Sequence, residues 1–342
     1  MMTPSVSVVM PVHNAESTLE AAVSSLQAQD LGDLEILMVD HGSSDGSAAL
    51  MHLLARSDKR VRVLKCQGSF VEASNLAWRS ATGNLIARMD ADDIADPSRL
   101  RKQRAFLLDH PNLAGCATQV RILRQGPLGD LREADNGYRR YETWINSVLS
   151  PETLAAERFV DSPLPNPTVM LRREVLEEAG GYADPPWAED YDLWLRLFEA
   201  GHQFGKVPEV LLDWIDGSTR ATRTRERYSL SRFQQAKAHY LSRLPAVRES
   251  GVVVCGAGPT GKDMAKRLRQ HGIALHAFLE VNPRQIGQRI AGVPVLDSTK
   301  ADTFHGRAIM LAAVGSAEGR KKVRTLLKTT GWTEGLDFFC VA

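Results

Sequence analysis

Residues 6–40 read VSVVMPVHNAESTLEAAVSSLQAQDLGDLEILMVD, and this stretch decides the fold. Two apolar runs, at 6–11 and 35–40, enclose a segment whose apolar residues have helical spacing. Two further runs, 61–65 (VRVLK) and 85–89 (LIARM), follow helix-patterned stretches in the same way. Short apolar strands that alternate with helices are typical of βαβ units. We therefore predict an α/β fold with a mixed, mainly parallel sheet.

Polar residues follow these runs at the points where the predicted strands end. In parallel sheets, ligands bind at the carboxyl ends of the strands. The cluster Asp90-Ala91-Asp92-Asp93 places three carboxylates in four positions, and such a cluster repels itself unless a cation neutralises it. Hard oxygen ligands favour Mg²⁺ or Mn²⁺. The alternative is a solvated turn that caps the following helix. Because Asp40 ends another strand, we favour a functional site.

The composition is that of an ordinary globular protein. Lys+Arg number 42 and Asp+Glu 41, which gives a formal net charge of 42 − 41 = +1. Nucleic-acid-binding proteins usually carry a clear basic excess, so the balance argues against that class. No apolar stretch approaches the ~20 residues of a membrane span. The four cysteines have no short pair spacing. We predict a cytoplasmic protein with reduced thiols.

A second unit is predicted after residue 244. Residues 252–258 read VVVCGAG, a strand that runs into a glycine loop. A G-x-G-x-x-G pattern between this strand and a helix is formed by Gly256, Gly258 and Gly261. This order of strand, glycine turn and helix is typical of nucleotide-binding Rossmann units. The predicted domains are therefore 1–244 and 245–342, the second being a small Rossmann-like α/β domain.

Several separated segments together resemble the family 2 glycosyltransferases of the GT-A fold. They are residues 5–47, DADD at 90–93 with Pro97 and Arg99-Leu100 behind it, PNPTVMLRREVLEEAGGY at 165–182 and AEDYDLWLRLFEAG at 188–201. The resemblance spans about residues 5 to 235. It implies a GT-A nucleotide-sugar-binding domain, a nucleotide-sugar donor, a divalent cation (Mn²⁺ or Mg²⁺) and inversion at the anomeric carbon.

The resemblance also assigns roles to individual residues. It implies that Asp92 and Asp90 belong to the metal site, with Asp90 near the ribose or sugar, and that Asp190 is the base, with Glu189 beside it. The first two strand-end loops would hold the nucleoside through Pro11, Val12, Asn14, Asp40 and His41. This sequence has His41 where the family pattern has a second aspartate that reads the base. A neutral imidazole also makes one hydrogen bond, and UDP is the predicted nucleotide.

The charged side chains of two later segments admit more than one interpretation. Glu189 and Asp190 begin an amphipathic stretch, where acids also stabilise a helix N-terminus through its dipole. Residues 220–250 hold eight basic and two acidic side chains, a local balance of 8 − 2 = +6. We predict that Arg220 and Arg223 contact the diphosphate. A solvated helix face and attraction to anionic lipid headgroups are the alternatives for the rest.

The stretch that follows the glycine loop, FLEVNPRQIGQRIAGVPVLD at 278–297, resembles the Rossmann-type N-terminal domain of sugar acetyltransferases. A nucleotide-binding role and a purely structural role stay open for this unit. For the whole chain we predict transfer of a sugar from UDP to a glycan or lipid-linked acceptor in cell-surface polysaccharide synthesis, with possible peripheral membrane contact. The alternatives are a nucleotidyltransferase-like enzyme and a nucleotide-sugar-binding regulatory or scaffold protein.

Overall fold

The structure is a computed structural model that describes residues 4–126, 130–133, 135–217 and 220–342. The chain divides into two compact units. Unit 1 comprises Met1–Leu154, Pro163–Pro185 and Glu189–Thr224, and unit 2 comprises Ala155–Ser162, Pro186–Ala188 and Arg225–Ala342. The domain boundary predicted at residues 244 and 245 lies inside unit 2 and stays a prediction from the sequence.

Unit 1 is built on a sheet of nine strands within the described residues. The strands are β1 (Val6–Val12), β2 (Leu34–Asp40), β3 (Val61–Lys65), β4 (Leu85–Arg88), β5 (Ile94–Ala95), β6 (Gly115–Gln125), β7 (Leu131–Glu133), β8 (Met170–Arg172) and β9 (Phe204–Asp216). Their order is β3-β2-β1-β4-β8-β6-β9-β5, with β7 paired to β6. The pairs among the first four strands are parallel, whereas β8 runs antiparallel to β4 and β6. The predicted mixed, mainly parallel sheet is confirmed.

The helices that begin in unit 1 are α1 (Leu19–Gln27), α2 (Ser47–Ser57), α3 (Phe70–Ser80), α4 (Arg99–Asp109), α5 (Asn136–Ser147), α6 (Pro151–Glu157), α7 (Arg173–Glu178), α8 (Glu189–Glu199) and α9 (Ala221–Thr224), with a 3-10 turn at Asn166–Thr168. The helical spacing between the runs 61–65 and 85–89 predicts a helix that starts at residue 73, whereas α3 begins three residues earlier, at Phe70. A capping box explains the difference, because Ser69 Oγ accepts the Glu72 N–H and the Glu72 carboxylate accepts the Ser69 N–H.

The register of the central strands places their carboxyl ends side by side. Every residue of β1 and β2 is buried, which is why both read as continuous apolar runs. Val12 at the end of β1 pairs with Asp40 at the end of β2, and Val9 pairs with Arg88 at the end of β4. The loops after these three strands therefore leave the sheet at one edge.

Unit 2 has its own six-stranded sheet within the described residues, in the order β12-β13-β11-β10-β14-β15. Its elements are a 3-10 turn at Glu226–Tyr228, α10 (Leu230–Leu241), α11 (Pro245–Ser250), β10 (Val252–Cys255), α12 (Pro259–Gln270), β11 (Leu275–Glu280), β12 (Arg289–Ile290), β13 (Val293–Asp297), a 3-10 segment at Ser298–Phe304, β14 (Ile309–Ala312), α13 (Ala317–Thr329) and β15 (Phe338–Cys340). All its pairings are parallel except β12 with β13. The predicted second α/β domain is confirmed as a fold. Among the described residues, no helix is both long and apolar enough to cross a membrane.

Candidate active site

The turn after β4 brings three carboxylates together. Oxygen atoms of Asp90, Asp92 and Asp93 all lie within 4.8 Å of one another. Asp93 is fully buried, and its Oδ1 accepts the backbone N–H of Ile215 in β9 at 2.9 Å. Burial raises the pKa of Asp93 well above its usual value and also raises the pKa of Asp92. A set of hard carboxylate oxygens at this spacing fits the ligand chemistry of Mg²⁺ or Mn²⁺.

Arg220, which follows β9, lies against this acidic cluster. Its guanidinium is 3.2 Å from Asp90 Oδ2 and 3.3 Å from both Asp92 Oδ2 and Asp93 Oδ1. It also lies over the ring of Trp214, 5.2 Å from the centroid. Arg220 is therefore paired with the strand-end acids, a contact that the sequence analysis did not predict, and its contact with a diphosphate stays a prediction.

Two buried arginines stand behind the acidic cluster. Arg88, at the end of β4, donates from Nη2 to Asp90 Oδ1 at 2.7 Å. Arg99, at the start of α4, donates to the Arg88 carbonyl oxygen at 2.6 Å and to Gln103 Oε1 at 3.0 Å. Neither arginine was assigned a role from the sequence. The available signal was an arginine inside the apolar run at 85–89, because a buried charge needs a partner.

The first two strand-end loops are joined by their own polar contacts. Asn14 has a positive φ of 49°, and its Oδ1 accepts the N–H of Ser44 at 2.8 Å. Asp40 Oδ1 accepts the N–H of Ser43 at 3.0 Å. Pro11 and Val12 are buried within β1, so their side chains support the loop from inside the sheet. The residues predicted to hold the nucleoside thus lie at one edge of the sheet.

A series of ring contacts connects these loops with the acidic cluster. The ring of His41 stacks on His13 with centroids 4.9 Å apart and meets the edge of Phe70 at 5.9 Å. The Arg88 guanidinium lies 5.5 Å from the Phe70 centroid, and Arg88 in turn pairs with Asp90. His41, the residue that departs from the family pattern, therefore belongs to the same arrangement as the acidic cluster.

Glu189 and Asp190 begin α8, as predicted. Burial and then the neighbouring Glu189 carboxylate raise the pKa of Asp190 to about 7, and Asp90 adds to the shift. Glu189 also acts electrostatically on Arg88. The start of α8 therefore lies within electrostatic range of the acidic cluster, which precedes it by 100 residues in the chain. A carboxyl group with a pKa near 7 suits proton transfer at neutral pH.

Arg223 does not reach the acidic cluster. Its guanidinium forms an ion pair with Asp216 and lies 5.4 Å from the ring centroid of Tyr138. Arg220 and Arg223 are only three residues apart, yet they have different partners. The predicted contact of Arg223 with a diphosphate stays a prediction.

The glycine loop of unit 2 follows β10 as predicted. Gly256 has a φ of 107°, and a Cβ added to Gly261 would lie 2.0 Å from the Gly256 carbonyl oxygen, so both positions require glycine. A Cβ added to Gly258 would meet nothing within 4 Å. Glu280, at the end of β11, accepts the N–H of Ala257 at 2.9 Å and that of Val281 at 2.9 Å. A carboxylate is thus held beside the loop.

Comparison with known proteins identifies the class and then the family. The crystal structure of S. aureus TarS 1–349 in complex with UDP-GlcNAc matches with a TM-score of 0.56 at 16% identity, covering 79% of this chain and 72% of that chain. Unit 1 therefore has the GT-A fold. The model of glycosyl transferase family 2 matches residues 7–180, about half of the chain, and the chain belongs to this family.

A second family model, described as a CoA binding domain, matches residues 247–332. Two curated relatives each match about three fifths of the chain. An uncharacterized glycosyltransferase of Haemophilus influenzae is 28% identical over 215 residues, which are 62% of this chain and 65% of that protein. The O-antigen biosynthesis glycosyltransferase WbnJ of Escherichia coli is 28% identical over 216 residues, 61% of this chain and 78% of that protein. The chain thus spans slightly less than two thirds of the first relative.

Proposed function

We propose that this family 2 glycosyltransferase is a metal-dependent, inverting enzyme that transfers a hexose or amino sugar from UDP. The observation that carries the proposal is the acidic cluster after β4, with oxygens within 4.8 Å of one another. Asp92 and Asp90 hold Mn²⁺ or Mg²⁺. The donor class is supported by the complex of TarS with UDP-GlcNAc, since TarS shares the fold.

The nucleoside of the donor lies on the first two strand-end loops. Asn14 and Asp40 are held there by hydrogen bonds to the backbone N–H groups of Ser44 and Ser43. The His41 imidazole makes one hydrogen bond to the base, in the place of the aspartate that the family pattern has. Pro11 and Val12 shape the floor of this subsite.

Asp190 takes the proton of the acceptor hydroxyl as that oxygen attacks the anomeric carbon from the face opposite the diphosphate. The bond from the anomeric carbon to the diphosphate oxygen breaks, and its electron pair leaves with UDP. Glu189 positions the acceptor, and Arg220 and Arg223 bind the diphosphate. The divalent cation, when bound, neutralises charge on the leaving group. A pKa of about 7 leaves much of Asp190 ionised and able to accept a proton at neutral pH.

The acceptor is a glycan or a lipid-linked sugar in cell-surface polysaccharide synthesis. This part of the proposal is supported by the name of the relative WbnJ, an O-antigen biosynthesis glycosyltransferase. A lipid-linked acceptor places the enzyme in the cytoplasm at the inner face of the membrane. The eight basic residues between 220 and 250 are suited to contact with anionic headgroups there.

A donor-hydrolysis assay tests the function directly. The full chain is incubated with Mn²⁺ and a panel of UDP- and GDP-sugars, with and without a chelator. We expect chelator-sensitive release of UDP from one UDP-sugar, because the acidic cluster binds the cation that neutralises the diphosphate. Release of GDP instead would refute the nucleotide assignment. Tight donor binding without turnover on any donor or acceptor would favour the regulatory or scaffold protein.

For unit 2, we propose that Gly256, Gly258 and Gly261 hold a nucleotide with an unphosphorylated ribose. The glycine loop opens helix α12, whose first N–H groups can receive a phosphate. Glu280, fixed beside the loop, accepts hydrogen bonds from ribose hydroxyls and repels a phosphate on the same ring. A purely structural role is the alternative.

The variant Gly258→Asp tests this proposal because it adds a carboxylate to an open position without a steric clash. Calorimetry on the full chain with NAD⁺ and CoA measures binding. We expect NAD⁺ to bind the wild-type chain more tightly than CoA, whose 3′-phosphate meets Glu280, and Gly258→Asp to abolish NAD⁺ binding. The thermal unfolding midpoint of Gly258→Asp, compared with that of the wild-type chain, shows whether the variant keeps its fold. Binding of neither NAD⁺ nor CoA, together with a UDP-sugar stoichiometry of one per chain, would establish the structural role, and tighter binding of CoA than of NAD⁺ would refute the role of Glu280.

A further inference from the structure

Arg220 contacts the same three carboxylates of the acidic cluster that would bind a cation. It contacts Asp90, Asp92 and Asp93 at 3.2–3.3 Å, and its side chain is only 10% exposed. The ring of Trp214 covers the guanidinium, with its centroid 5.2 Å away. The side chain is therefore held among the acids and is not a solvated surface arginine.

Arg220 adds a third positive charge near the acidic cluster. Arg88, which pairs with Asp90, and Arg99, which donates to the Arg88 carbonyl oxygen, are buried, whereas Arg220 contacts all three carboxylates. A divalent cation bound to the same carboxylate oxygens would be placed a few ångströms from the Arg220 guanidinium. In a low-dielectric site, like charges at that distance repel strongly. Arg220 and the cation therefore compete for the same oxygens.

We propose that Arg220 is an internal counter-ion of the acidic cluster, which the divalent cation displaces only when a nucleoside diphosphate binds with it. The inference rests on the proposed metal site at Asp92 and Asp90. A diphosphate brings negative charge that neutralises the added cation and gives the displaced guanidinium a new bidentate partner. Cation binding and nucleotide binding are thereby coupled, and the same residue holds the acidic cluster before the donor arrives and the diphosphate afterwards.

The coupling predicts a specific pattern of affinities. In the wild-type chain, Mn²⁺ binds weakly alone and on the order of tenfold or more tightly with UDP. In Arg220→Gln the competing cation is absent, so Mn²⁺ alone binds on the order of tenfold more tightly than to wild type. UDP in the presence of Mn²⁺ binds more weakly to the variant, because the diphosphate has lost a contact. The two changes have opposite signs, which simple damage to the site does not produce.

Mn²⁺ binding to the full chain is measured by electron paramagnetic resonance, without and with UDP, and UDP binding by calorimetry. Arg121→Gln is the matched control, because it removes an arginine from an exposed ion pair with Asp213 between β6 and β9. If Arg220→Gln does not fold, Arg220→Lys is used. Lysine retains the positive charge but loses the bidentate hydrogen-bonding geometry of arginine. We therefore expect a smaller gain in Mn²⁺ affinity for Arg220→Lys than for Arg220→Gln.

The outcomes separate this inference from the proposed function. If Mn²⁺ binds to wild type and is lost in Asp92→Asn, the metal site stands. Equal Mn²⁺ affinity with and without UDP, unchanged by Arg220→Gln, would then overturn the counter-ion role alone. If Asp92→Asn has no effect on Mn²⁺ binding under either condition, the metal site itself is refuted, and the counter-ion role with it.

Discussion

Replacing Asp190 by asparagine is expected to reduce sugar transfer by about a thousandfold while leaving UDP-sugar affinity within about twofold of wild type. Asparagine has nearly the shape of aspartate but cannot accept the proton of the acceptor hydroxyl. Under the proposed function, donor binding depends instead on the loops after β1 and β2 and on the acidic cluster. Transfer is measured as product formation under saturating donor, and affinity by calorimetry with UDP.

Two further variants make this result specific. Glu199→Gln removes an exposed carboxylate from the other end of α8 and should keep wild-type transfer. Glu189→Gln should raise the KM for the acceptor more than it lowers kcat, because we propose that Glu189 positions the acceptor. If Glu189→Gln abolished transfer and Asp190→Asn retained it, the two roles would be reversed. Near wild-type transfer in both variants would remove the start of α8 from the chemistry.

The pH dependence of transfer follows from the same residue. Burial and Glu189 raise the pKa of Asp190 to about 7, so the protonated form, which cannot act as a base, dominates below that pH. The rate should therefore fall about tenfold per pH unit on the acid side of the apparent pKa. A cation at the acidic cluster offsets the contribution of Asp90, so the apparent pKa should move down at saturating Mn²⁺. A flat profile between pH 5 and about 8 would contradict the assignment.

Replacing Asp92 by asparagine is expected to reduce transfer by about three orders of magnitude and to abolish its stimulation by Mn²⁺. The asparagine amide lacks the negative charge that would hold a hard cation. Without that cation, the charge on the leaving diphosphate would not be neutralised. Asp92 is a better site for this substitution than Asp93, because Asp93 is fully buried and accepts a hydrogen bond from the Ile215 N–H, which supports the fold. Transfer is measured against Mn²⁺ concentration for wild type and variant.

The control is Asp96→Asn, three residues after the acidic cluster. Asp96 is exposed and accepts hydrogen bonds from the N–H and hydroxyl of Ser98 just before α4. Its loss should lower the unfolding midpoint slightly and leave the Mn²⁺ dependence unchanged. An Asp92→Asn enzyme that kept both its rate and its Mn²⁺ response would show that the cluster is not the metal site.

Much of the site architecture follows from local patterns in the sequence. The apolar runs 6–11, 35–40, 61–65 and 85–89 correspond to β1 to β4. Strands β1, β2 and β4 are buried along their whole length, which favours nearly continuous apolar sequence, whereas β3 is only partly buried. Polar residues directly after such strands must lie at one edge of a parallel sheet, which is why Asp40 and Asp90 could be placed together. The predicted start of α8 was also correct, since its amphipathic spacing is local to the segment.

The partners of the arginines do not follow from local patterns. Arg220 and Arg223 share a basic segment, and both were predicted to contact the diphosphate. In the structure, Arg220 meets the acidic cluster after β4, whereas Arg223 pairs with Asp216. The choice depends on β9 running beside β6 and β5, which are separated from it by many residues. The burial of Arg88 and Arg99 likewise depends on packing between distant segments.

By itself, the sequence determined two α/β units, the family resemblance and the positions of the strand-end acids. Each of these depends on periodicity or on residue types within short segments. Only the tertiary structure decided that Arg220 pairs with Asp90, Asp92 and Asp93. It also decided that Asp190 is buried within electrostatic range of Asp90, so that its pKa is raised to about 7. The physical reason is that charge pairing and burial are set by residues that lie far apart in the chain and meet only when it folds.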